Sequence, residues 1–103
     1  MKQMIYYVED DKNIRELVIY ALRTSGFEAV GFEDAAHFYK EVKKITPALI
    51  LLDIMLPDED GVTVLKKLKK TERLSHIPVI MLTAKSAEYD KVIGLDMGAD
   101  DYV

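Results

Sequence analysis

The 103-residue sequence has no cysteine and no tryptophan, only three prolines and five glycines, and no apolar run longer than a strand. Each absence excludes something. Without cysteine there is no disulfide framework, thiol nucleophile or cysteine-built zinc site, which suits a reducing cytoplasm. No run approaches the roughly 20 apolar residues of a membrane span, and residues 1–11 lack a signal-peptide pattern. No stretch rich in Pro, Gly or Ser interrupts the chain, and no repeat or low-complexity segment divides it, so residues 1–103 read as one domain. Excess positive charge is missing too. Against 18 acidic side chains stand 14 Lys and Arg, a net charge of −4, which disfavours nucleic-acid or anionic-lipid binding by this segment. What is present is a half-hydrophobic composition, enough to bury a core.

The apolar pattern switches between short continuous runs and helical spacing, the mark of strands alternating with helices around a parallel sheet. Five strands and four helices are expected. The first strand is Met4–Val8. Asp11 then caps a helix with an inner stripe of Ile14, Leu17, Val18, Ala21 and Leu22, closed by Gly26. A second strand, Glu28–Phe32, leads to Asp34 as the next cap, and Ala35, Phe38, Tyr39 and Val42 recur at helical intervals before Pro47. Residues 48–52 form the clearest strand, apolar throughout and so central, and it ends at Asp53. Gly61, Val64, Leu65 and Leu68 mark a third helix, Pro78 opens the strand Val79–Leu82, and Tyr89, Val92, Ile93 and Met97 mark a fourth helix before a last strand at 101–103. The fold class is α/β, a doubly wound parallel sheet.

In such a sheet ligands bind beyond the carboxyl ends of the strands, and here those ends are acidic. Strand one ends in Glu9, Asp10 and Asp11, strand three in Asp53, and strand four in Thr83, Ala84 and Lys85. With strands one and three adjacent, Glu9, Asp10 and Asp53 converge on one crevice. Two carboxylates roughly 5 Å apart repel by about 3 kcal/mol at an effective dielectric near 20, and a hard divalent cation relieves this. Carboxylates, a backbone carbonyl and water match the oxygen shell of magnesium. The first strand-to-helix turn is negative and contains no glycine, which speaks against a flavin or dinucleotide. A phosphoryl group approaches such a crevice only beside a metal, pointing to metal-assisted transfer onto a carboxylate. A plainer role remains open for each acid: helix capping for Glu9 and Asp10, which Asp11 alone can supply, and backbone-amide satisfaction for Asp53.

Other features read as structure. Lys66, Lys67, Lys69 and Lys70 surround the inward Leu68 near a helix C-terminus, as a solvated face does. His37 and His76 form no ligand-spaced pair, and the methionines and tyrosines follow core or amphipathic spacing.

Four segments, in order, carry a family likeness: Tyr7-Val8-Glu9-Asp10-Asp11; Leu51-Leu52-Asp53-Ile54-Met55-Leu56-Pro57-Asp58-Glu59-Asp60-Gly61; Pro78-Val79-Ile80-Met81-Leu82-Thr83-Ala84; and Gly94-Leu95-Asp96-Met97-Gly98-Ala99-Asp100-Asp101-Tyr102-Val103. Together they resemble the receiver domain of two-component response regulators. The ending is most like the subfamily whose receivers precede a winged-helix DNA-binding domain. The resemblance implies a flavodoxin-like sheet of order 2-1-3-4-5 with helices on both faces. It implies that Asp53 accepts a phosphoryl group from a sensor histidine kinase or a small acyl phosphate. Asp10, Asp53 and the Met55 carbonyl would coordinate Mg²⁺, with Glu9 holding the ion through water. Thr83 matches the switch hydroxyl, Tyr102 the switch aromatic, and Ala84 a small residue giving the phosphoryl group backbone access. Lys91, Asp100 and Asp101 fall on the surface through which receivers form homodimers.

The family pattern continues past Val103 with a lysine that contacts the phosphoryl group, and then a fifth helix. Neither is in this sequence, and Lys85 follows a different strand and does not replace that lysine. The expectation is a shortened receiver lacking its last helix and output domain, with an uncovered sheet face that promotes self-association. Competing readings are a magnesium-dependent aspartyl-phosphate phosphohydrolase, or an interaction domain independent of phosphorylation. The expected module is not an independent enzyme, and its own phosphorylation and slow dephosphorylation are its only chemistry.

Overall fold

Short buried strands alternate with helices that bury one side, which places helices on both faces of one sheet. The computed structural model describes residues 3–82 and 101–102. Its strands are β1 (Met4–Val8), β2 (Glu28–Phe32), β3 (Leu49–Asp53), β4 (Val79–Leu82) and β5 (Asp101–Tyr102), and its helices among the described residues are α1 (Lys12–Thr24), α2 (Ala35–Val42) and α3 (Gly61–Lys70). All strand pairs are parallel and the order is β2-β1-β3-β4-β5, the doubly wound arrangement expected. The fourth helix, marked by Tyr89, Val92, Ile93 and Met97, lies outside the described residues, as does Val103.

Each described helix begins on an aspartate. Asp11 accepts from the Ile14 N–H at 3.0 Å, Asp34 from His37 N–H at 2.9 Å and Asp60 from Val62 N–H at 2.7 Å, satisfying amides that the helix itself leaves unpaired. Gly26, at φ +98°, takes the left-handed conformation just after α1.

The larger core lies under α2 and α3. Even-numbered sheet residues Tyr6, Val8, Ile50 and Leu52 pack there with Phe32, Phe38, Val42, Val64, Leu65 and Leu68. Tyr6, Phe32 and Phe38 meet edge to face, with ring centroids 5.0 to 6.4 Å apart, the geometry ring quadrupoles favour. The opposite face is thinner: Tyr7, Ile19 and Ala29 are buried, with Val18, Leu22, Leu51 and Leu82 partly covered.

Two expectations change. The third strand runs one residue later than 48–52, so Asp53 is its last member. The inner face of α1 is also different: Ile14 and Leu17 are 47% and 69% exposed, Ala21 is exposed, and only Val18 and Leu22 of the expected stripe turn inward. The helix has rotated its Arg15–Val18–Ile19–Leu22 side onto the sheet. Gly31 accommodates this face, since a Cβ there would stand 2.8 Å from Arg15 Cγ. The missing side chain makes a slot that the aliphatic stem of Arg15 fills, so a charged residue serves as an inward one.

Candidate functional site

Strand register brings the acidic groups together. Val8 pairs with Leu52, so Glu9 leaves β1 level with Asp53, and the alternation of side chains puts both on the face shared by Tyr7 and Leu51. Carboxylate oxygens of Glu9, Asp10 and Asp53 lie within 4.8 Å of one another. Asp10 is exposed, Asp53 half-buried and Glu9 buried.

Glu9 is fixed from every side. Its N–H donates to the Phe32 carbonyl at 2.9 Å, and its own carbonyl accepts from Arg15 Nη1 at 2.7 Å. Of its carboxylate oxygens, Oε1 accepts from the Tyr7 hydroxyl and Oε2 from the Asp11 N–H, each at 3.2 Å. Burial, then a hydrogen bond shared with Asp53 and the charge of Asp53, push its carboxyl up to about 7, although the Asp11 N–H opposes the change. Arg15 Nη1 also reaches the Asp10 carbonyl at 3.3 Å, so one guanidinium bridges two successive carbonyls.

Backbone amides of the following loop hold Asp53 and its neighbour Ile54 in place. The Met55 N–H donates to its Oδ1 at 3.2 Å, and the Gly61 N–H donates to the Ile54 carbonyl at 2.8 Å. A Cβ on Gly61 would fall 2.3 Å from the Asp53 carbonyl oxygen, so only glycine lets the start of α3 sit this close. Met55 is 53% exposed beside this turn. Hard oxygen donors crowded together, one of them buried, fit a hard divalent cation.

Further along the same loop, Asp58 accepts from the Ala35 and Ala36 amides at 3.0 Å each, and Glu59 accepts from the Tyr39 hydroxyl at 2.8 Å and pairs with Lys67. Of the lysine cluster, Lys66, Lys67 and Lys70 are exposed, while Lys69 is half-buried and donates to the Ser75 carbonyl at 3.3 Å. A second acidic group, Glu33, Asp34 and His37, is exposed in part, and its Asp34–His37 contact at 2.6 Å accompanies the helix cap.

Of the residues singled out in the sequence, Glu9, Asp10, Asp53 and Met55 share one site. Thr83, Ala84, Lys85, Lys91 and Asp100 lie outside the described residues. Asp101 and Tyr102 form β5, and their side chains are likewise outside. Tyr7, Arg15, Asp58 and Gly61 were not legible as parts of the site. Tyr7 carried one signal: it stands two residues before Glu9 in an apolar strand, and a buried phenol needs a partner.

Residues 5–103 match the family model described as the response regulator receiver domain. The chain belongs to that family. As a receiver domain it is the phosphoacceptor module of a two-component response regulator. It is 44% identical over 103 residues to the phosphate regulon transcriptional regulatory protein PhoB of Escherichia coli, covering all of this chain and 45% of that protein. The receiver's fold also matches the Mn²⁺-bound form of response regulator Rcp1 (TM-score 0.89, 31% identity, 98% of this chain and 79% of that one). It likewise matches the BeF₃-activated DrrB receiver domain (TM-score 0.88, 32% identity, 100% and 84%). The chain spans 41–45% of the length of the curated relatives it matches. No helix among the described residues is long and apolar enough to cross a membrane.

Proposed function

We propose that this receiver is phosphorylated on Asp53 in a Mg²⁺-dependent reaction by a partner histidine kinase, and that it controls a DNA-binding output domain in the cytoplasm. The carrying observation is the convergence of Glu9, Asp10 and Asp53 within 4.8 Å. Asp10, Asp53 and the Met55 carbonyl would hold the ion directly and Glu9 through water. When bound, the ion neutralises charge on the carboxylates and on the incoming phosphoryl oxygens.

The chain's own residues supply position. The Met55 N–H fixes one Asp53 oxygen, leaving the other to attack phosphorus. A new O–P bond forms as the bond to the donor's imidazole nitrogen or acyl oxygen breaks, and the leaving group takes the electron pair. Thr83 then bonds a phosphoryl oxygen, Tyr102 follows inward, and the surface bearing Lys91, Asp100 and Asp101 is remodelled into a homodimer contact. Such a switch needs differential contacts worth about 5.5 kcal/mol to move a population from about 1:99 to 99:1.

An independent phosphohydrolase would want an acid/base carboxylate beside the nucleophile. The residues following Asp53 are Ile54, which is buried, and Met55, so self-phosphorylation and slow hydrolysis are the only chemistry proposed. The test is acetyl phosphate with Mg²⁺, read by intact mass. One phosphoryl adduct is expected on the unsubstituted chain and none on Asp53→Asn, and an adduct on the variant overturns the assignment.

A further inference from the structure

We propose that Tyr7 is a positioning residue for the cation site, its phenol holding the Glu9 carboxylate in the orientation that faces the ion. The inference rests on the reading of the Glu9–Asp10–Asp53 cluster as a cation site. Tyr7 is 1% exposed, packed with Ile19 and Ala29 on the α1 side of the sheet. An apolar ring of the same shape would fill that space, so packing leaves the hydroxyl unexplained. Burying it carries a cost unless it is bonded, and it donates to Glu9 Oε1 at 3.2 Å.

The second carboxylate oxygen is bonded independently, by the Asp11 N–H at 3.2 Å. One donor on each oxygen sets both the position and the rotation of the group, since a carboxylate with a single donor still turns about its last torsion. The remaining lone pairs are then presented toward Asp10 and Asp53, whose oxygens lie within 4.8 Å. Removing the phenol oxygen takes away the donor that holds Glu9 Oε1 from outside the cluster, and the carboxylate can rotate away from the orientation that faces the ion. Outer partners of this kind typically change metal affinity by about 10–100-fold.

The experiment titrates the 103-residue chain with Mn²⁺, read by electron paramagnetic resonance, and with Mg²⁺, read by calorimetry. Tyr7→Phe should weaken both by roughly tenfold. Placed in a Glu9→Ala background, the same substitution should have no further effect, because the phenol acts only through that carboxylate. A packing role would persist in both backgrounds. Should Tyr7→Phe fail to fold, fluorotyrosine at position 7 in the otherwise unsubstituted chain provides a second reading. Its ¹⁹F resonance should shift on adding Mg²⁺, and a resonance that does not move overturns the proposal. Equal affinity of Tyr7→Phe and the unsubstituted chain, with Asp10→Asn losing the ion, overturns the Tyr7 assignment while the cation site stands. Failure of the unsubstituted chain to bind either ion overturns both.

Discussion

The Asp58 carboxylate closes the N-terminus of a helix 23 residues earlier in the chain, accepting from the Ala35 N–H at 3.0 Å while its other oxygen takes the Ala36 N–H at the same distance. The loop leaving β3 is thereby tied to α2. Asp58→Ala should remove both bonds and lower stability by about 1–2 kcal/mol, the scale of a lost helix cap. Urea unfolding checks this, and a variant with an unchanged midpoint would show the contact to be idle.

Gly61 makes the stricter demand on the same loop. Its absent Cβ would lie 2.3 Å from the Asp53 carbonyl oxygen and 2.7 Å from Ile54 Cα, and both neighbours are backbone and cannot swing aside. Gly61→Ala should therefore cost roughly 1–3 kcal/mol, as overpacking does, and slow modification of Asp53 by acetyl phosphate. A variant as stable and as rapidly modified as the parent would disprove the close approach.

What the sequence disclosed follows from range. Glu9, Asp10 and Asp53 were readable because strand ends are marked by the end of an apolar run, and a parallel sheet sends those ends to one side. The sides of α1 were not readable. Two apolar stripes overlap on that helix, and the side that meets the sheet is the one whose Arg15 stem fits over Gly31, a residue of β2. Asp58 was opaque for a similar reason: its partners are more than twenty residues away, and local spacing says nothing of them. Glu59 and Tyr39, joined at 2.8 Å, fall under the same rule.

Glu9 gives the metal-free domain a pH dependence whose sign can be worked out. Its carboxyl titrates at about 7 in the fold against an ordinary value of 4.5. Below the lower value both folded and unfolded states hold the proton, and the contribution to stability is fully present. As pH rises, the unfolded chain releases its proton first, so stability falls until the folded group has also ionised, above about pH 7. The loss should be at most about 3 kcal/mol. Urea midpoints in chelator measure it, and Glu9→Gln should flatten the profile. Mg²⁺ should restore most stability at the high-pH end, because its charge offsets the buried Glu9 carboxylate that forms there. A midpoint independent of pH in the parent would contradict the raised value.

The outer side of α1 carries its own expectation. Ile14, Leu17 and Tyr20 are 47%, 69% and 68% exposed at helical intervals, an apolar row of the sort that seeks a partner. Concentration-dependent self-association is expected in light scattering, and Leu17→Glu should shift the chain toward monomer. A parent that stays monomeric at high concentration would remove this row as its cause.

Arg15 allows packing and hydrogen bonding to be separated in one side chain. Its stem covers Gly31, with Cγ and Cδ 2.8 and 2.9 Å from where a Cβ would stand, and its guanidinium bonds the Glu9 carbonyl at 2.7 Å. Arg15→Met keeps an unbranched stem over the glycine and deletes the charge, so it should lose only the guanidinium's bonds to the Glu9 and Asp10 carbonyls, about 1.5–3 kcal/mol. Arg15→Ala uncovers the slot as well and should cost more. The difference between the two, taken from urea unfolding, is the packing contribution of the stem. If the two variants prove equally stable, the stem contributes nothing measurable, and the rotation of α1 must be credited to Val18, Ile19 and Leu22 alone.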